Sequence, residues 1–170
     1  MTELIQALRT SGDEFVAAAQ SVPAVSCKTK PGPDRWSVLE CVEHIVITEG
    51  RFLSWLENPQ PTPAPPINKE KEAMLAARMP SRVEKREAPE TALPAGQFAE
   101  LDEALRAFKS ARQRTLQFAE EKGEALYSIA VKHRIFGDLN GMELMWIVDG
   151  HCRRHMAQIL EAKSELASGI

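Results

Sequence analysis

Cysteine is scarce in this chain and unpaired: Cys27, Cys41 and Cys152 are the only three, with no C-x-x-C spacing among them. That pattern excludes a disulfide framework and fits a reducing compartment, where such residues serve as small buried hydrophobes. No apolar run approaches the roughly 20 residues of a membrane span. Met1-Thr2-Glu3-Leu4 has neither the basic start nor the following apolar core of a signal peptide, so the expected location is the cytoplasm. Basic charge is not in excess: the net charge is -3, and the most basic stretch, from Arg82 to Glu87, mixes both signs. Neither nucleic acid nor an anionic membrane is therefore an expected partner. Also missing are a Gly-rich phosphate loop, a Ser-His-Asp order and a paired-carboxylate motif, which removes the commonest hydrolase and phosphotransferase signatures.

What is present is ordinary for a folded helical protein. With 170 residues, 44% hydrophobic and 26% charged, the chain reads as one domain, 1–170, able to bury a core without a metal as a staple. Leu4, Ile5, Leu8, Phe15, Val16 and Ala19 recur at helical spacing, predicting a first helix from about Glu3 to Gln20 with Ser11-Gly12 as a weak point. Ser37 and Glu40 form a capping box after Trp36 and start a second helix that runs to about Glu57. Pro59, Pro61, Pro63, Pro65 and Pro66 then forbid regular helix, and a short helix is expected at Lys69–Met79. A connection from Asn58 to Gly96 can run back along a helix about 30 Å long, which makes helices two and three parallel. The third helix is expected at about Gln97–Glu121. Residues 125–136 alternate partially through Tyr127, Ile129, Val131 and Ile135, which allows a short extended stretch but is too little for a sheet, and Gly137-Asp138-Leu139 reads as a turn. A second capping box, Asn140 with Glu143, opens the last helix, which continues to about Ala167 and is apolar nearly all round.

Four histidines carry the chemistry. His151 and His155 stand four apart on the last helix, so their imidazoles leave one face a turn apart and can reach one ion. His44, on the second helix, lies to one side of the apolar arc and suits a surface position as well as a third ligand. His133 falls in a connection, as a structural or pocket-rim residue. Three imidazoles would suit a divalent transition metal and leave coordination positions open. Glu40, one turn before His44, can accept an imidazole N–H or act only as a cap; Gln158, one turn after His155, can bond a ligand water or anchor its helix. Arg154 lies about 60° off the ligand face, and Trp55 and Trp146 read as core.

Trp36-Ser37 with Glu40 and His44, the element His133–Gly137, and the run from His151 to Ile159 together resemble the DinB-like family over essentially the whole chain. The resemblance implies an all-α, up-down-down-up four-helix bundle, often a homodimer. It implies a divalent metal, nickel, zinc or iron, on His44, His151 and His155. Relatives are similar to transferases and isomerases that use a low-molecular-weight thiol, so the implied function is a metal-dependent transferase or hydrolase acting on a small molecule. The alternative is a non-catalytic, stress-associated binding bundle. Arg134 departs from the proline that many relatives carry after the histidine, and so alters the pocket rim.

Overall fold

A computed structural model describes residues 1–83 and 87–168. Residues 84–86, within the mixed-charge stretch Arg82–Glu87, lie outside them. Five α-helices are described: α1 (Thr2–Gln20), α2 (Val38–Glu57), α3 (Lys69–Arg78), α4 (Leu101–Lys122) and α5 (Gly141–Ala167). The two predicted capping boxes are both formed, Ser37 with Glu40 on α2 and Asn140 with Glu143 on α5. Each satisfies amides that a helix start leaves unpaired, which fixes where these two helices begin.

α1, α2, α4 and α5 make a four-helix bundle, and side-chain pairs give its directions. Arg9 meets Glu120 and Phe15 meets Phe108, so α1 and α4 are antiparallel. Ser11 pairs with Cys152 and Ser21 with Lys163, so α1 and α5 are parallel. His44 approaches His155 and Thr48 approaches His151, so α2 and α5 are antiparallel. The order is up-down-down-up. The connection between α2 and α4 carries α3 across α5, where Gly150 lets the backbone at Met79 come close: a Cβ on Gly150 would lie 2.3 Å from the Met79 Cβ.

The core has two apolar halves. Leu4, Leu8, Phe52, Leu56 and the Met142–Val148 turn belong to one; Phe15, Val42, Ile45, Phe108 and Ile159 belong to the other. Between them in sequence, on each of the four bundle helices, lies a polar layer. Arg112 donates to both carboxylate oxygens of Glu49 at 2.7 and 2.9 Å, and to the Leu8 carbonyl and Ser11 hydroxyl. Gly12 explains itself here, since a Cβ would sit 3.3 Å from the Arg112 side chain. The three cysteines are buried, and burial pushes the Cys41 and Cys152 thiols up to about 12, so they behave as small hydrophobes.

Two boundaries differ from the sequence reading. α4 begins at Leu101 rather than near Gln97, because the backbone at Glu100 is extended, at φ -133° and ψ 149°, and breaks the helical turn there. The Gly137–Leu139 segment is a strand, not a turn. β1 (Ala130–His133) pairs antiparallel with β2 (Gly137–Asn140), His133 opposite Gly137 and Ala130 opposite Asn140. Gly137, at φ +71°, supplies the left-handed residue that closes the loop, and Val131 opposite Leu139 buries one face of the hairpin in the core. No helix among the described residues is long and apolar enough to cross a membrane.

Candidate metal centre

α2 and α5 run antiparallel, and each presents one turn to the same cleft. From α2 come His44 and, one turn on, Thr48; from α5 come His151 and His155. The structure brings the three imidazoles together, with one candidate ligand atom from each lying within 4.8 Å of the others. The ring centroids of His44 and His155 are 4.6 Å apart, and those of His151 and His155 likewise 4.6 Å. His44 and His155 are buried and His151 is half-buried.

A hydrogen bond assigns the His44 tautomer. His44 Nδ1 lies 2.6 Å from the carbonyl oxygen of Ala92. A carbonyl only accepts, so Nδ1 carries the proton and the Nε2 lone pair is left for another partner. Thr48 Oγ1 spends its hydrogen on the His44 carbonyl at 2.9 Å, and its oxygen faces His151 Nδ1 at a long 3.5 Å. With that nitrogen as donor, His151 also offers Nε2. The two Nε2 atoms face each other at 3.3 Å. That distance suits two ligands of one cation, and equally an N–H···N hydrogen bond when His151 carries its proton on Nε2. Nitrogens bound tetrahedrally at about 2.0–2.1 Å to one zinc are themselves about 3.3 Å apart. His155 Nδ1 is buried without a hydrogen-bond partner.

Charge states agree with this. Burial brings His44 down to about 4, against a partial opposing effect of the Ala92 hydrogen bond. Burial, with His151 and His44 adding to it, holds His155 well below the ordinary imidazole range. Both rings are neutral near pH 7, the form in which imidazole ligates. The donor set, the orphaned nitrogen and the neutral rings fit a divalent transition metal.

The centre forms part of the lining of an open cleft of about 1240 Å³. Trp36 walls it, its ring 4.7 Å from His44 and stacked at 5.9 Å on His155. Phe52, Trp55, His133 and Phe136 line it further out. His133 Nδ1 accepts from the Ile135 and Phe136 amides at 3.1 and 3.3 Å, which holds the hairpin loop and the ring together at the rim. Gln158 lines the cleft beside His155, its Oε1 accepting from Arg82 at 3.2 Å. Glu40 has other partners than an imidazole: one oxygen accepts from the Ser37 amide at 2.8 Å and the other pairs with Lys30 at 2.8 Å. The group that orients His44 is the Ala92 carbonyl, which has no residue-type signature. Arg154, buried, donates to the carbonyl of Ser81. Trp36, which the sequence offers only as the residue before the α2 capping box, lies eight residues before His44, and its spacing by itself does not reveal a cleft wall.

The fold is similar to that of YfiT from Bacillus subtilis, described as a probable metal-dependent hydrolase with an unusual four-helix bundle topology. That likeness has a TM-score of 0.63 at 16% identity, and covers 98% of this chain and 87% of YfiT. A comparison with curated proteins finds no match. The model of the DinB superfamily matches residues 7–159, and the chain belongs to that superfamily.

Proposed function

We propose that this protein is a metal-dependent enzyme acting on a small molecule, with His44, His151 and His155 as the ligands of one divalent ion, nickel, zinc or iron. The observation that carries the reading is the convergence of three imidazoles, one ligand atom of each within 4.8 Å of the others, with the opposite nitrogen of His44 committed to the Ala92 carbonyl. A bound ion supplies Lewis acidity, which brings deprotonation of water or of a thiol into the neutral range. The chain's own residues do the rest. Ala92 holds the His44 ring in its tautomer, and Trp36 keeps solvent off the His44 and His155 faces. The cleft leaves space beside the three rings for a small molecule. YfiT's description favours hydrolysis, and the DinB-like resemblance favours thiol transfer to an electrophile. No buried cysteine competes for the nucleophile role, since burial raises the thiols of Cys27, Cys41 and Cys152 and holds them protonated.

Elemental analysis of the protein purified without a histidine tag tests the reading. About one equivalent of a transition metal is expected, and His151→Ala or His155→Ala is expected to lose it while retaining the helical signal. Protein that remains empty after exposure to nickel, zinc and ferrous iron refutes the metal-dependent reading. Metallated protein is then screened for hydrolysis of activated esters and amides and for transfer of a low-molecular-weight thiol.

A further inference from the structure

Seven lysines and arginines line the cleft against three carboxylates, Asp34, Glu87 and Glu161. The chain as a whole carries -3, so the cleft has the opposite sign to the molecule. Most of that positive charge is already answered. Lys30 pairs with Glu40, Arg35 with Glu165, and Arg82 with Glu161, while Arg154 donates to the Ser81 carbonyl.

Arg51 is different. It is held by uncharged groups: Nη1 donates to the Thr91 hydroxyl at 2.8 Å, and the guanidinium carbon lies 5.5 Å over the Trp55 ring. Among the described residues it forms no salt bridge. A guanidinium fixed in orientation by a hydroxyl and an aromatic face, with its remaining N–H donors uncommitted, is preorganised for an oxyanion. Lys132 and Arg134, exposed on the hairpin, line the same cleft and add to its positive potential. Arg51 follows His44 by two turns on the same face of α2, about 10 Å along the axis.

We infer that Arg51 is the seat for the carboxylate, phosphate or sulfonate group of an anionic small molecule, whose apolar body lies along Phe52 towards the three histidines. The seat itself stands on the charge and packing around Arg51. Only the reacting end of the molecule rests on the metal-dependent reading above.

Calorimetric titration of the full chain, at low salt and with its metal content measured beforehand, tests this with two probes. Benzenesulfonate carries the oxyanion and is a poor metal ligand; methyl phenyl sulfone has nearly the same shape without the charge. The sulfonate is expected to bind at least about tenfold more tightly. Arg51→Gln removes that preference, Arg51→Lys retains most of it, and neither changes metal content. Equal binding of the two probes, no binding of either, or a preference that survives Arg51→Gln overturns the inference. Protein that takes no metal yet prefers the sulfonate through Arg51 refutes the metal-dependent reading and supports the seat.

Discussion

His44 Nδ1 lies 2.6 Å from the carbonyl oxygen of Ala92, so a ring on the second bundle helix takes its orientation from the connection leading to the third. The long connection is therefore part of the centre as well as a route between helices. It is pinned where it returns to the bundle: Glu43, buried one residue before His44, accepts the Ala95 amide at 2.6 Å and the Gln97 amide at 3.1 Å through one carboxylate oxygen.

Glu43→Ala removes the acceptor of both amides. The expected cost is about 1–3 kcal/mol in urea denaturation. Ala92 sits three residues before Ala95, so metal affinity is expected to fall about 10-fold or more, the range for losing an outer-shell partner. Glu43→Gln, which keeps an acceptor oxygen, restores most of both. Unchanged metal affinity in the alanine variant would separate His44 from the crossover.

Gly150 is the point where the crossover presses on α5. With a Cβ at 2.3 Å from the Met79 Cβ, Gly150→Ala forces the end of α3 away. Overpacking of this kind costs about 1–3 kcal/mol. The end of α3 also borders the cleft through Met79, and Gly150 adjoins His151. Metal titration should show weaker binding along with the lower stability, and a variant as stable as the parent would contradict the close approach.

The Arg112–Glu49 pair carries charge across the middle of the core. Truncating one partner, as in Glu49→Ala, leaves a buried charge unanswered and costs about 3–5 kcal/mol in equilibrium denaturation. Arg112→Leu combined with Glu49→Leu should cost much less than the two single changes added together. Additive losses would show that the pair does not act as a unit.

Much of this was legible in the sequence because it is written in residue types. The Ser37 and Asn140 caps set the starts of α2 and α5, and the i, i+4 spacing put His151 and His155 on one face. The proline run announced a connection long enough for parallel α2 and α4. His44 was ambiguous because its arc position takes no account of α5, whose packing buries it. The hairpin was hidden because Gly137 looks alike as the middle of a turn and as the first residue of a strand; only the pairing of Val131 with Leu139 decides. Ala92 acts through its carbonyl, and any residue supplies one. Trp36 and Arg51 gain their meaning from neighbours more than 40 residues away or on another element, His155 and Thr91 among them.

The most direct measurement is X-ray absorption at the metal edge on protein loaded with one equivalent of zinc or nickel. Three imidazole nitrogens at about 2.0–2.1 Å are expected for zinc, dropping to two in His44→Ala. A spectrum without imidazole scattering, or one identical in His44→Ala, would contradict a centre shared by His44, His151 and His155.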